Sequence, residues 1–142
     1  MTSRSARLIS KLTEATPEYW RSQGDEMMAK IAELEATLEK EHPELQELHL
    51  DNRNGALGVA MIRVKPEFRN QGVGSRVMRR LKQFAAAEGV PITLSPEADR
   101  GHKDDLHRFY RSHGFYRNFG RRADYRYTST FAPTMIWKPP VK

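Results

Sequence analysis

A glycine-containing turn in the middle of the chain has the composition of an anion-binding site. Residues 69–75 read Arg-Asn-Gln-Gly-Val-Gly-Ser, between a strand-like run ending at Val64 and a helix-like run beginning near Ser75. Two glycines let the backbone turn and approach a ligand without Cβ clashes. The first amides of the following helix have no intrahelical acceptor and, with the helix dipole, favour an anion. The turn suits a pyrophosphate, and the alternative is a glycine-rich connection that binds nothing.

Two familiar phosphate-binding loops are excluded by what the turn lacks. A P-loop requires Gly-x-x-x-x-Gly-Lys-Ser/Thr, and Ser75 stands where the lysine should follow the last glycine. A dinucleotide fingerprint requires Gly-x-Gly-x-x-Gly and an acid about twenty residues further on, and that pattern also fails. The turn is therefore of another kind.

The elements that position this turn follow from the spacing of apolar residues. A helical N-terminal segment is predicted for residues 1–43, beginning with an amphipathic helix that has Leu8, Ile9 and Leu12 inward. A second helix starts at the N-cap Thr16 and stops at His42, before a proline. The apolar stripe of this second helix consists of Met27, Ile31, Leu34 and Leu38. The glutamates predicted on its other faces are Glu33, Glu35, Glu39 and Glu41.

Strands and helices alternate in the rest of the chain. Asn54 and Gly55 lie between two strand-like runs, the second over residues 56–64, and predict a β-hairpin. The later elements are a helix over 75–88 ended by Gly89, a buried strand over 90–94, a helix over 104–113 closed by Gly114, and one or two strands within 125–137.

Composition limits the class of protein. A chain of 142 residues with no cysteine predicts one domain without disulfides or thiolate metal sites, and we expect a cytoplasmic location. No apolar run approaches the ~20 residues that cross a bilayer, so no membrane partner is predicted. Residues 1–51 hold 6 Lys and Arg against 11 Asp and Glu, whereas residues 52–142 hold 18 against 7. The basic half attracts polyanions, whether a nucleic acid, a phosphorylated cofactor or an acidic protein.

Two separated motifs together resemble one known superfamily. Residues 64–75 resemble the cofactor motif of the GNAT-type N-acetyltransferases almost position for position, and residues 109–115, Phe-Tyr-Arg-Ser-His-Gly-Phe, are similar to their second signature. The resemblance covers residues 45–138. It implies an α/β (α+β) fold with a mixed, mostly antiparallel sheet flanked by helices, in which acetyl-CoA is held where two central strands splay apart.

The resemblance also implies a domain arrangement and a subgroup. Residues 1–142 are expected to form a single GNAT-like domain, in which the helical segment over 1–43 is followed in sequence by a cofactor-binding core over 45–138. The stretches 114–121 and 135–139 resemble a small subgroup met in phages and mobile elements. No acceptor substrate follows from that likeness.

Acetyl-CoA is the cosubstrate that the resemblance implies. The strand edge would bind its amide-bearing pantetheine arm, and the turn would wrap its pyrophosphate. The residues that match the family's cofactor-binding positions are Ile62, Arg63, Val64, Arg69, Asn70, Gln71, Gly72, Val73, Gly74 and Ser75.

Catalysis requires a proton donor for the departing thiolate and a base for the amine. Tyr110 matches the family tyrosine beside the cofactor sulfur, and a phenol with an ordinary pKa near ~10 can protonate a thiolate. The alternative is a tyrosine that only packs in the core. The family's usual acid on the preceding strand is missing, so Glu97 is the predicted base, with His102 and His107 as alternatives. Histidine spacing predicts no metal site.

The predicted function is direct transfer of an acetyl group to an amine, carried by a small molecule, a protein or a tRNA. One rival is a nucleic-acid-associated protein, because the tyrosines and Phe119 of the basic half alternate with arginines. The other rival is a GNAT-like binding or structural protein without turnover, since the usual base is absent. The oligomeric state stays open, a homodimer included.

Overall fold

A single sheet runs through the part of the chain that the computed structural model describes, residues 16–95, 103–127 and 134–140. Its strands are β1 (Leu45–Arg53), β2 (Ala56–Val64), β3 (Ile92–Leu94), β4 (Tyr116–Arg117) and β5 (Met135–Trp137). They lie in the order β1-β2-β3-β5-β4. Only β2 and β3 pair in parallel, and the other neighbouring strands are antiparallel. The predicted mixed, mostly antiparallel sheet is confirmed.

The described part of the chain has four α-helices. They are α1 (Pro17–Ser22), α2 (Glu26–Glu41), α3 (Val73–Glu88) and α4 (Lys103–Ser112). Helix α2 packs on β1, and α3 packs on β2 and β3. Ion pairs join α2 to α3, from Lys30 to Glu88 and from Arg80 to Glu41, both at 3.0 Å. No helix within the described ranges is long and apolar enough to span a bilayer.

The prediction of one continuous helix over residues 17–42 is wrong, because α1 and α2 are separate helices. The predicted cap is present, because the Thr16 hydroxyl accepts the Tyr19 amide at 3.2 Å. Gly24 then adopts a left-handed conformation with φ of 78°, which interrupts the helix. Asp25 starts α2 by accepting the Met28 amide at 2.9 Å. The predicted helix around Leu8 lies outside the described residues.

Helix α2 buries one glutamate that the sequence placed on an outer face. Ile31 and Leu38 are fully buried as predicted, but Glu35 is also buried, with 8% of its surface exposed. Position 35 follows Ile31 by one helical turn, so it lies on the same inward face. Its carboxylate Oε1 is 3.9 Å from Nδ1 of His49 on β1.

The hairpin that joins β1 to β2 is confirmed. Asn54 and Gly55 both have positive φ, 54° and 91°, as a two-residue hairpin turn requires. Asn52 Oδ1 accepts the Gly55 amide at 2.8 Å and fixes the turn.

A bulge in β2 separates its two halves. Leu50 pairs with Val59 and His49 with Met61, so Ala60 is an extra residue on β2. Strand β3 pairs with β2 only up to Val59. Beyond the bulge, β2 therefore stays paired with β1 along one edge and is no longer paired with β3 along the other.

Several predicted boundaries need correction. Helix α3 begins at Val73 rather than residue 75, whereas Gly89, with φ of 71°, ends it as predicted. Strand β3 is shorter than predicted because Val90 still donates to the Ala85 carbonyl at 3.0 Å, in the helix terminus. Helix α4 starts and stops one residue earlier than predicted.

In the C-terminal region, one of the one or two predicted strands is confirmed as β5. Within residues 125–137 the described strand is β5 alone, Tyr125–Tyr127 forms a 3₁₀ helix, and residues 128–133 lie outside the description. Strand β4 was not predicted. The side chain of Asn118, which follows β4, is buried and forms two hydrogen bonds to the backbone of Asp124. Its Nδ2 donates to the Asp124 carbonyl at 3.0 Å, and its Oδ1 accepts from the Asp124 amide at 2.6 Å. These two bonds fix the chain between Asn118 and Asp124.

Candidate active site

An open cleft of about 710 Å³ lies between the end of β2, the turn that follows it and helix α4. All of the residues predicted to bind the cofactor line this cleft, except Gln71. Tyr110 lines it from the opposite side, on α4. The structure thus brings the two separated sequence motifs to one place.

One wall of the cleft is the end of β2 beyond the bulge. Ile62 and Val64 pair with Leu48 and Leu45 of β1, so one backbone edge of β2 is used. The other edge has left β3 and faces the cleft. An extended ligand that carries amides can add to such an edge as a further strand. The Val64 carbonyl accepts a bond from Arg69 Nε at 3.3 Å, which places that arginine against the strand end.

The turn at the start of α3 has the backbone of an anion site. Asn70 and Gly72 are left-handed, with φ of 63° and 79°. Gly72 is the N-cap of α3 and provides no side chain to accept the first helical amides. The amides of Val73, Gly74 and Ser75 therefore lie at an uncapped helix start beside the cleft. This fits the pyrophosphate of CoA.

Gln71 does not line the cleft, but its hydrogen bonds stabilise the turn. Its Nε2 donates to the Glu67 carbonyl at 3.3 Å. Its own carbonyl accepts from Arg76 Nη1 at 3.1 Å. Arg76 also lies 3.6 Å from the Glu44 carboxylate, so this arginine links the turn to the residue before β1.

Tyr110 is held by aromatic rings. It is 5% exposed, packs edge-on against Phe109 with ring centroids 5.2 Å apart, and lies 5.6 Å from the Phe115 ring. These contacts hold the ring of Tyr110 in place in the wall of the cleft.

Several residues of the cleft were missed at the level of sequence. Asp105, Leu106 and Phe109 line it together with Tyr110, and Phe68 joins them from the turn before α3. Positions 105, 106, 109 and 110 recur at helical spacing, so one face of α4 could have been predicted from Tyr110 alone.

His113 contacts the turn through the side chain of Ser75. Its Nε2 is 3.1 Å from Ser75 Oγ, and its ring lies 4.9 Å from that of Phe109. Burial, followed by the charges of Lys82 and Arg79, lowers the pKa of His113 below its ordinary value. This contact joins α3 to the residue that follows α4, so no local pattern predicts it.

Three residues are the candidates for the base that deprotonates the amine. Glu97 and His102 lie outside the described residues. His107 is half-buried on α4. Among the residues that the structure does describe, no group of three or more His, Cys, Asp or Glu could hold a metal ion.

Comparison with known proteins gives one family. A family model described as an acetyltransferase (GNAT) domain matches residues 44–117. Ard1 from Thermoplasma volcanium is 18% identical, with a TM-score of 0.48, over 75% of this chain and 78% of that chain. A GNAT-family acetyltransferase from Staphylococcus aureus Mu50 is 16% identical, with a TM-score of 0.46, over 64% of this chain and 56% of that chain.

Curated protein sequences give no match. The stretch matched by the family model is more than half of the chain and holds the end of β2, the turn and α4, which form the cleft. The chain belongs to the GNAT acetyltransferase family.

Proposed function

We propose that the chain is an N-acetyltransferase that takes acetyl-CoA in the cleft and transfers its acetyl group to an amine. The observation that carries this proposal is the meeting, in one cleft, of a strand edge that has diverged from β3, an uncapped helix start and a tyrosine. Each feature alone has a structural explanation. Their combination matches the three parts of the ligand: a chain of amides, a pyrophosphate and a thioester.

The residues around the cleft fit acetyl-CoA. Backbone groups of Ile62 and Val64 would hold the pantetheine arm, and the amides that follow Gly72 would hold the pyrophosphate. Acetyl-CoA supplies an acetyl group activated as a thioester. Tyr110 is the proposed proton donor to the departing sulfur, because it lines the same cleft and a phenol can protonate a thiolate. Glu97 stays our proposed base for the amine.

The proposal keeps the predicted organisation of the chain. Residues 1–142 form one domain in it, with the core over residues 45–138. The likeness to a subgroup met in phages and mobile elements remains a prediction, as do a cytoplasmic location and a homodimer.

Transfer to an amine is tested with acetyl-CoA labelled in the acetyl group. The panel comprises polyamines, peptides, aminoglycosides and aminoacylated tRNA. We expect label in a stable amide on one of these classes, above the level reached without protein. Binding of CoA without label in any amine would contradict the transferase and support the rival, a GNAT-like binding protein.

One surface favours a tRNA-borne amine as a second candidate for the acceptor. Phe119 and Tyr125 are 65% and 78% exposed, and two arginines close to them in sequence, Arg117 at the end of β4 and Arg121, are also exposed. Exposed rings stack on unpaired bases, and arginines bind phosphates. If RNA binds here, its affinity falls steeply with salt, whereas a salt-independent or absent affinity would remove this candidate.

A further inference from the structure

The contact between His113 and Ser75 joins a titratable group to the cleft. The imidazole Nε2 lies 3.1 Å from the hydroxyl Oγ of Ser75. Ser75 lines the cleft in the first turn of α3, whereas His113 is absent from the lining. Both side chains are half-buried, and Phe109 packs on the imidazole at 4.9 Å. The histidine can therefore act on a ligand through the serine.

The serine hydroxyl has a single proton for two acceptors. If Nε2 is unprotonated, it accepts a hydrogen bond from the hydroxyl. Only the lone pairs of Oγ can then face the cleft, and they repel an anion. If Nε2 carries a proton, it donates to Oγ, and the hydroxyl is free to donate to an anion. An anion beside Ser75 therefore selects the histidine forms that are protonated at Nε2. Of these forms, the imidazolium also brings a positive charge.

The charges around His113 set the direction of the effect. Helix α3 presents Arg79 and Lys82 to the imidazole, and these cations, after burial, lower the pKa of His113 in the ligand-free protein. A neutral histidine is thus the resting form near pH 7. A bound pyrophosphate would offset the repulsion from the two cations and raise this pKa.

We propose that His113 is a positioning residue that orients the Ser75 hydroxyl toward the pyrophosphate and couples binding of acetyl-CoA to uptake of a proton. This inference rests on the proposed function, because it requires the pyrophosphate to lie at the turn. Since the pKa rises on binding, affinity increases as the pH falls through the interval between the free and bound values. A rise of one unit makes binding at most about tenfold tighter.

The test uses dephospho-CoA, because the 3′-phosphate of CoA itself titrates near pH 6 and would obscure the effect. Calorimetry on the full chain at pH 8 and pH 5.5 is expected to show binding about three- to tenfold tighter at the lower pH. At intermediate pH the measured heat should vary with the ionisation enthalpy of the buffer, which reports proton uptake directly.

Three variants separate positioning from packing. His113→Gln keeps a donor near Nε2 but cannot titrate, so dephospho-CoA should still bind, without the pH dependence. Ser75→Ala removes the hydroxyl and should lower the affinity and weaken the pH dependence, leaving only the part that arises from the charge of the imidazolium itself. His42→Gln removes a histidine at the end of α2, outside the cleft, and should behave like the wild type.

The results distinguish a failure of the His113 coupling from a failure of the proposed acetyl-CoA site. If wild-type protein binds dephospho-CoA and His113→Gln shows the same pH dependence, the coupling through Ser75 is wrong and the cofactor site stands. If folded wild-type protein binds neither CoA nor dephospho-CoA at any pH, the proposed function itself fails.

Discussion

Replacing Tyr110 by phenylalanine is expected to lower the rate of acetyl transfer by about 10²-fold, the low end for a positioned general acid. The change keeps the ring that packs on Phe109 and Phe115 and removes only the hydroxyl. CoA thiolate is a tolerable leaving group, so the loss should not be larger. Affinity for CoA should change little, because one lost hydroxyl contact costs about 1 kcal/mol.

A tyrosine with only a packing role predicts the opposite pattern. Tyr110 is nearly buried, so loss of a bonded hydroxyl would lower the melting temperature and leave turnover per folded molecule unchanged. The measurement is kcat and melting temperature, on any accepted amine, for wild type and Tyr110→Phe together. Tyr19→Phe, on α1 and outside the cleft, is the matched control. Equal kcat in wild type and Tyr110→Phe would remove Tyr110 as the acid.

Gly72→Val is expected to abolish measurable CoA binding while most of the fold remains. Gly72 has φ of 79°, and a β-branched residue in this left-handed region is strained by about 1–3 kcal/mol. Inside the protein the new Cβ would meet only Arg76 Nη1, at 3.5 Å, which is the end of a flexible side chain. The added methyl groups would instead stand beside the amides that face the cleft.

A second glycine separates backbone strain from obstruction of the cleft. Gly24 has φ of 78°, has no atom within 4 Å of its Cβ position and lies outside the cleft. Gly24→Val should therefore lose similar stability and keep its affinity for CoA. Gly74→Val is less clean, because its Cβ would come within 3.2 Å of Phe109 Cζ. Wild-type affinity in Gly72→Val would mean that the turn is only a connection.

Local chemistry explains what the sequence could predict. The hairpin depends on two adjacent residues, Asn54 and Gly55, whose types favour positive φ. The residues predicted for the cofactor are nearly contiguous, so one strand, one turn and one helix start bring them together. Tyr110 could be predicted because it lies in a second motif, at the expected distance in sequence from the first.

Contacts between distant elements explain what the sequence could not predict. Glu35 is buried because α2 packs on β1, and His113 reaches Ser75 because α4 packs beside the start of α3. Strand β4 has two residues, too few for any periodicity, and is fixed by pairing with β5. Gly24 lies before Met27, the first residue of the apolar stripe, so the spacing of apolar residues did not reveal the break between the two helices.

The central claim is that this cleft binds acetyl-CoA, and the most direct measurement is the melting temperature of the protein with and without CoA. A ligand at about 100 times its dissociation constant adds roughly 2.7 kcal/mol to the free energy of unfolding, or several degrees for a domain of this size. We expect this increase with CoA and acetyl-CoA, and a far smaller one with NADH or ATP. If millimolar CoA leaves the melting temperature of the folded protein unchanged, the cleft is not an acetyl-CoA site and the account is contradicted.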